Sequence, residues 1–199
     1  GNANMAWVEH MIDKLSMKGK AAIILANGAL SSDTSGEGEI RKNILEADLV
    51  DCILAMPSNL FYTVTIPCSI WILNRDKKQK GKTLFIDARN LGVMVTRKLR
   101  ELSEADIEKI SNTYHKFVKE ENYEDILGFC KAVTIDEIKE NNYVLTPGRY
   151  VGVEEKEDDG IPFDEKMKTI TSELKKQFEE SHKLEEEIKK NLEAIGYGI

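Results

Sequence analysis

Apolar residues between positions 5 and 15 recur at the three-to-four spacing of an amphipathic helix, and Gly19 follows as a stop signal. Residues 21–26 then form a continuous apolar run, which predicts a strand of a parallel sheet with helices on both faces. A short helix is expected at 40–47. Three further apolar runs predict strands at 49–54, 66–73 and 83–87. The order of these elements indicates an α/β sheet with an antiparallel edge.

Helix-capping patterns dominate the part of the chain that follows the last predicted strand. Ser103 and Asp106 have the layout of a capping box, with Asp in place of the usual Glu or Gln, and predict the start of a helix. Thr134 and Glu137 repeat the box before a shorter helix. Residues 141–152 are expected to be extended and rich in turns.

The last part of the chain carries an apolar stripe at three-to-four spacing, interrupted by Ser181. Its apolar members are Phe163, Met167, Ile170, Leu174, Phe178, Leu184, Ile188, Leu192 and Ile195. At 1.5 Å per residue, such a helix is a rod of about 50 Å. A small sheet domain cannot cover a stripe of that length, so the pattern favours a coiled-coil contact with a partner helix. The alternative is that the rod packs back on its own domain.

Composition and charge narrow the class of protein. The 199 residues are 41% hydrophobic and 32% charged, which is typical of a globular protein. A formal net charge of −7 argues against a free-standing nucleic-acid binder, although a local basic face remains compatible with it. No stretch reaches the length of a membrane span. The three cysteines are far apart and are expected to be reduced, buried packing residues of a cytoplasmic protein; they are Cys52, Cys68 and Cys130.

Most candidate chemical sites in the sequence are weak. Residues 36–38 (GEG) precede a short helix in an acidic loop, which favours a flexible surface loop over a phosphate-binding turn. No metal site is expected from the three isolated histidines, and no hydrolase nucleophile is recognisable. The basic stretch 77–82 is interpreted as a solvated turn, with phosphate contact as the alternative.

The segment 56–66 (MPSNLFYTVTI) is different because it places two large aromatic residues where a strand ends. Open α/β sheets build ligand sites at the carboxyl ends of their strands. Pro57 fixes the backbone leaving the strand, and Asn59 can hold the turn by a local hydrogen bond. Phe61 and Tyr62 could stack on a planar ligand, or they could be ordinary core residues.

Six segments, read together in their order and spacing, resemble the modification (M) subunit of type I restriction–modification systems, an adenine-specific DNA methyltransferase. The segments are KAAIILANGAL (20–30), GEIR (38–41), LAMPSNLFYT (54–63), IPCSIWILN (66–74), FIDAR (85–89) and LTPGRYV (145–151). Together they cover most of the chain.

The resemblance implies the C-terminal part of a class I (Rossmann-like) methyltransferase sheet, followed by helices and a long C-terminal amphipathic helix. Members of the family flip an adenine out of the duplex and transfer a methyl group to its exocyclic amine from S-adenosylmethionine. Their cofactor loop (D-P-x-x-G-x-G) and catalytic tetrapeptide (N-P-P-F or N-P-P-Y) do not occur in this sequence. The chain is therefore expected to carry no catalytic or cofactor-binding residues and to be inactive alone.

The resemblance also assigns candidate site residues. Those that match the loop around the flipped base are Pro57, Asn59, Phe61 and Tyr62. Those that match positions near that pocket are Asn27, Gly28 and Arg41. No metal ligands are expected.

Four regions follow from this interpretation. Residues 1–92 are expected to form the C-terminal half of the catalytic domain, 93–153 a helical and extended subdomain, 154–162 an acidic linker, and 163–199 a long helix for subunit assembly. The expected partners are the specificity (S) subunit through that helix, a second M subunit, the restriction (R) subunit, and double-stranded DNA. The alternative is a non-catalytic M-like interaction module that recruits partners through the helix.

Overall fold

The computed structural model describes residues 3–153 and 162–198. All of the predicted acidic linker except Pro162 lies outside the described residues. The chain divides into two compact units, Gly1–Glu154 and Glu155–Ile199.

The described part of the first unit contains four α-helices and seven strands. The helices are α1 (Asn4–Lys14), α2 (Glu37–Glu46), α3 (Glu104–Lys119) and α4 (Ile135–Glu140). The strands are β1 (Lys20–Ala26), β2 (Val50–Ala55), β3 (Cys68–Asn74), β4 (Lys82–Asp87), β5 (Val93–Met94), β6 (Arg100–Glu101) and β7 (Cys130–Thr134). The predicted helices and strands before residue 90 are all present.

Five of the strands form one mixed sheet in the order β1-β3-β2-β4-β7. β2 and β4 are parallel, with Ile53 opposite Phe85, whereas the other three pairs are antiparallel. β5 and β6 form a separate two-stranded hairpin. The sheet is therefore mostly antiparallel.

The prediction that residues 21–26 form a parallel strand covered on both faces is wrong. β1 pairs antiparallel with β3, with Ile23 opposite Trp71, because β3 turns back and inserts between β1 and β2. Leu25 is buried, but Ile24 is 54% exposed. A continuous apolar run here marks a strand at the edge of the described sheet, with one face open.

Helices cover the two faces of the sheet unequally. On one face, α1 and α2 bury Val8 and Leu45 against the ring of Trp71 and the strands beside it. On the other face, α3 packs Phe117 against a second apolar cluster that includes Leu84 and Ile86 of β4. β2 is buried along its whole length. All three cysteines are buried and unpaired, as predicted.

Two elements differ from the sequence-based expectation. β7 was not predicted, since it has only five residues and includes Lys131, yet it pairs with all of β4 except Asp87. As a result, the sheet extends past residue 92. α2 begins at Glu37, inside the segment predicted to be a loop, directly after Gly36, which adopts a left-handed conformation (φ 82°).

The predicted capping box of α3 is confirmed. The Ser103 side chain accepts a hydrogen bond from the Asp106 backbone N–H (3.1 Å), and the Asp106 carboxylate accepts one from the Ser103 N–H (2.9 Å). Thr134 caps α4 by accepting from the Glu137 N–H (3.4 Å).

In the second unit, one helix, α5, spans Phe163–Ala194. Its large apolar side chains are exposed within this chain, among them Phe163, Ile170, Leu174, Phe178 and Ile188. No helix in residues 3–153 or 162–198 is long and apolar enough to cross a bilayer.

Candidate functional site at the carboxyl edge of the sheet

The carboxyl ends of three strands meet at one edge of the sheet. β1 and β2 both run antiparallel to β3 and so point the same way, and β4 is parallel to β2. The segments that leave these strands begin at Asn27, Met56 and Ala88. This is the edge at which open α/β sheets place ligands.

The loop between β2 and β3, residues 56–67, is called the aromatic loop here. It closes through hydrogen bonds from the Met56 N–H to the Cys68 carbonyl (2.8 Å) and from the Asn59 N–H to the Thr65 carbonyl (3.3 Å). Asn59 has φ 63°, a left-handed conformation that asparagine tolerates better than most residues. The loop thus has an ordered base.

The two rings at the tip of this loop are exposed. Phe61 is 40% and Tyr62 is 86% exposed, whereas Pro57 at the loop's base is buried. Neither ring belongs to the core, which excludes the core interpretation for this chain. Two aromatic rings exposed at the edge where open α/β sheets place ligands can stack on a planar group.

Asn27 and Gly28 lie beside the base of the aromatic loop. The Asn27 N–H donates to the carbonyl of Pro67 (3.5 Å). The Oδ1 atom of Asn27 is buried and has no hydrogen-bond partner among the described residues. A Cβ at Gly28 would meet nothing within 4 Å, so open space adjoins its backbone. The structure thus brings both residues to the same edge as Pro57 and Phe61.

Arg41 lies in a different environment. It is buried on α2, and its guanidinium donates to the carbonyls of Tyr143 (2.7 Å) and Ser32 (2.8 Å) and to the carboxylate of Asp33 (3.2 Å). These contacts tie α2 to the loop before it and to the segment after α4. Its guanidinium is therefore committed to the fold.

An ion pair that the sequence analysis did not single out follows β4. Arg89 binds the Asp87 carboxylate through Nε (2.8 Å) and Nη2 (2.6 Å), and this contact raises the pKa of the Arg89 guanidinium. A Cβ at Gly148 would lie 2.8 Å from Arg89 Nη2. The segments FIDAR and LTPGRYV therefore meet here, and the ring of Tyr150 stacks on Phe85 at 4.2 Å. An Arg two residues after the Asp that ends a strand was the available signal.

Charged and metal-ligating side chains add little more to this edge. Among the described residues, no group of three or more His, Cys, Asp or Glu side chains could hold a metal ion. In the basic stretch 77–82, Lys77 is buried against Asp48, with Nζ 2.5 Å from Oδ1. This stretch joins β3 to β4 at the opposite edge of the sheet.

Comparison with protein families gives a match that covers most of the chain. The model of a family described as N-6 DNA methylase matches residues 1–159.

Curated proteins include closely similar chains. The chain is 56% identical over 197 residues to the Type I restriction enzyme HindI methylase subunit of Haemophilus influenzae, covering 99% of this chain and 44% of that protein. It is 49% identical over 201 residues to the Type I restriction enzyme MjaIX methylase subunit of Methanocaldococcus jannaschii, covering 99% of this chain and 36% of that protein. The chain thus spans less than half the length of these relatives.

A solved structure is similar as well. It is the type I restriction-modification system methyltransferase subunit from Streptococcus thermophilus, with a TM-score of 0.69 and 32% sequence identity, covering 77% of this chain and 31% of that chain. A structure described as a type I R-M system complex assembly matches 96% of this chain and 39% of its own chain, with a TM-score of 0.58 and 14% identity, and supports the fold alone.

Proposed function

We propose that this chain, which belongs to the N-6 DNA methylase family and is related to methylase subunits of type I restriction enzymes, is the C-terminal portion of such a subunit. The proposed activity of the whole subunit is methylation of the exocyclic amine of adenine in DNA. The observation that carries the proposal is the aromatic loop, whose rings are exposed at the carboxyl edge of the sheet. Adenine's amine is inaccessible inside a duplex, so the base must be flipped out to react. A flipped base needs an aromatic surface to replace the stacking it loses.

The aromatic loop forms one wall of that base pocket. Phe61 or Tyr62 stacks on the flipped adenine, and base–aromatic stacking is worth about 1–3 kcal/mol per base. Pro57 and Asn59 hold the loop's base, and Asn27 and Gly28 line the adjoining strand end. Arg41 supports this wall indirectly, through the packing of α2.

S-adenosylmethionine is the proposed methyl donor of the whole subunit, but the described residues do not fit it. Asp87, an acidic side chain at the carboxyl edge, has both oxygens engaged by Arg89. The glycine-containing segment 36–38 is flanked by acidic side chains, so its surroundings do not form a site for a nucleotide-like ligand. We therefore assign the cofactor and the catalytic tetrapeptide to parts of the subunit outside this chain.

The sheet described here is proposed to be the C-terminal part of a class I (Rossmann-like) methyltransferase sheet, completed beside β1. Among the described residues, β1 has a strand neighbour on one side only. Next to it, an apolar cavity of about 290 Å³ opens between the sheet and α3, lined by Ile70, Ile72 and Ile107 among others. An open edge beside an open apolar face supports the docking of further elements there.

The exposed apolar side chains of α5 support a role in assembly. We propose that α5 binds the specificity subunit, within a cytoplasmic complex that also contains a second M subunit, the restriction subunit and duplex DNA. The same helix favours the second candidate function, a non-catalytic interaction module. In the proposed division of the chain, residues 1–92 carry half of the base pocket and residues 93–153 form the next subdomain. Residues 154–162 are the linker, and residues 163–199 form the assembly helix.

The test replaces both rings by alanine (F61A/Y62A) in the full-length subunit, assembled with its specificity subunit. Loss of stacking should lower methyl transfer to duplex DNA by between about 5- and 150-fold. The measurement is transfer of labelled methyl groups from S-adenosylmethionine, with the product identified as N6-methyladenine. Binding of the cofactor should be unchanged, because the rings contact the base.

Val64→Ala is the matched control, since it trims an exposed apolar side chain of the same loop and leaves both rings in place. It should keep nearly full activity. Unchanged turnover in F61A/Y62A would remove the rings from the pocket. A wild-type complex that methylates no DNA would instead favour the interaction module.

A further inference from the structure

A short β-hairpin, residues 92–101, lies directly beside the aromatic loop. It is called the basic hairpin here. Its two strands pair Val93 with Glu101 and Met94 with Arg100. The backbone N–H of Arg100 donates to the carbonyl of Asn59 at 2.7 Å, which joins the hairpin to the base of the aromatic loop. The two segments therefore share the carboxyl edge of the sheet.

The hairpin has a defined shape. The Thr96 hydroxyl accepts hydrogen bonds from the backbone N–H groups of Lys98 (3.2 Å) and Leu99 (3.0 Å), which closes the tip. At the base, Gly92 has φ 76°, and a Cβ there would lie 2.6 Å from the Glu101 carbonyl oxygen. The position of the tip relative to the aromatic loop is thus set by backbone contacts.

Positive charge is concentrated at the tip. Arg97 and Lys98 are exposed, and neither forms an ion pair with any residue that the structure describes. Arg100 is occupied at the base, where it donates to the carbonyls of Leu91 (3.0 Å) and Gly92 (3.1 Å). Glu101, the hairpin's acidic residue, is at the base as well. Two cations without an ion-pair partner among the described residues are thus exposed at the tip, in a chain with a net charge of −7.

From this placement we propose that Arg97 and Lys98 bind the phosphate backbone of duplex DNA next to the nucleotide whose base the aromatic loop receives. The inference rests on the proposed function. Duplex DNA carries one negative charge per about 1.7 Å of its axis, so a strand held at the aromatic loop brings phosphates to the neighbouring tip. Phosphate contacts position a protein and carry no sequence information, so these two contacts would hold the DNA without selecting its sequence.

The test is the salt dependence of DNA binding by the full-length subunit in complex with its specificity subunit. Binding of a fluorescent duplex is measured between about 50 and 200 mM salt for the wild type and for R97A/K98A. The logarithm of the association constant falls linearly with the logarithm of the salt concentration. Removing two phosphate contacts should make this slope about 1.8 less steep, which is equivalent to roughly 30-fold weaker binding near 0.15 M salt. The loss should be the same on unrelated duplex sequences.

The chain offers a matched control in K78A/K80A. Lys78 and Lys80 are also exposed, and replacing them by alanine removes the same amount of positive charge. They lie in the turn between β3 and β4, at the opposite edge of the sheet. This variant should keep the wild-type slope. The conservative exchange R97K/K98R should keep it too, because both cations remain.

The outcomes separate this proposal from the proposed function. If the wild-type complex methylates DNA and R97A/K98A keeps the wild-type slope, the hairpin assignment is overturned and the function stands. A loss confined to one DNA sequence, or a loss of specificity-subunit binding with an unchanged DNA slope, also overturns it. If the wild-type complex transfers no methyl group to any duplex, the function fails, and with it the placement next to a flipped base. The separately measured slopes then decide only whether the hairpin binds DNA phosphates.

Discussion

At the scale of single residues, buried charges hold the connections of this fold. Lys77 donates to the Asp48 carboxylate and to the Lys82 carbonyl (2.7 Å), and the other Asp48 oxygen accepts from the Gly81 N–H (3.0 Å). Asp48 itself has φ 55°. One carboxylate thereby fixes the turn between β3 and β4 from the loop before β2. The remaining lysines of that turn stay on the surface.

A residue-scale prediction concerns the cap of α3. The hydrogen bonds from the Ser103 side chain and backbone lower the pKa of the Asp106 carboxyl group. A lowered folded-state pKa means that this stabilisation is complete above the usual aspartate pKa and is lost as the pH falls through the lowered value. Ser103→Ala should raise the Asp106 pKa towards its usual value and lower the free energy of unfolding by about 1 kcal/mol at neutral pH. Carboxyl NMR titration and denaturant unfolding measure the two effects.

The control for that prediction is Ser111→Ala, on the same helix and away from its cap. It should leave the Asp106 titration unchanged. An Asp106 titration that is identical in Ser103→Ala and the wild type would contradict the capping assignment.

The capping box could be predicted from the sequence because both partners lie within one turn of helix. The partner of Lys77 could not, because Asp48 lies 29 residues earlier and the contact exists only once the sheet has formed. For the same reason, the sequence indicated Phe61 and Tyr62 as a pair but not the hairpin beside them. A contact between two side chains could thus be predicted from this sequence only where the two residues lie close together along the chain.

At the scale of elements, the length of each apolar run and the spacing of its apolar residues decided which helices and strands were predicted correctly. β2, β3 and β4 have compact apolar runs and were predicted close to their observed bounds. The pairing of β1 was predicted wrongly, since a run of small and branched apolar residues does not show which face stays open. β7 was missed, because five residues with a lysine in the second position carry no clear period.

α5 gives the element-scale prediction. Its exposed apolar residues include Met167, Leu174 and Ile188, which recur every seven or fourteen residues, as in a helix that packs along a partner. Leu174→Glu in the full-length subunit should abolish co-purification with the specificity subunit, because it places a charge in a desolvated seam. The readout is the composition of the affinity-purified complex.

Ser172→Glu adds the same charge on the same helix two residues away from the seam, and should leave assembly intact. Retained assembly of Leu174→Glu would remove α5 from that interface.

At the scale of the whole molecule, the sheet is well covered on one face and incompletely covered on the other. Ile24 lies opposite Ile70, and Ile70 lines the apolar cavity beside α3. An α/β sheet normally has helices over both faces, and we propose that the remainder of the catalytic domain docks at this open region. The sequence indicated an incomplete sheet, but the place of the opening follows from the β1-β3-β2 order alone.

The whole-molecule prediction compares one substitution in two proteins. Ile24→Lys should change the free energy of unfolding of residues 1–199 by no more than about 0.5 kcal/mol, because the side chain is largely exposed there. In the full-length subunit, where we propose that Ile24 is covered, the same change should cost at least about 2 kcal/mol by burying a charge. Chemical denaturation of both pairs measures the difference, and equal small effects would show that nothing covers this face.

The insertion of β3 between β1 and β2 also has a consequence for biosynthesis. Ser69 on β3 donates to the Leu25 carbonyl on β1, 44 residues earlier in the chain. A ribosome adding about 5–20 residues per second needs roughly 2–9 s to deliver that neighbour. During this interval β1 has left the exit tunnel ahead of its partner. The nascent chain must therefore keep that edge of β1 from mispairing until translation catches up.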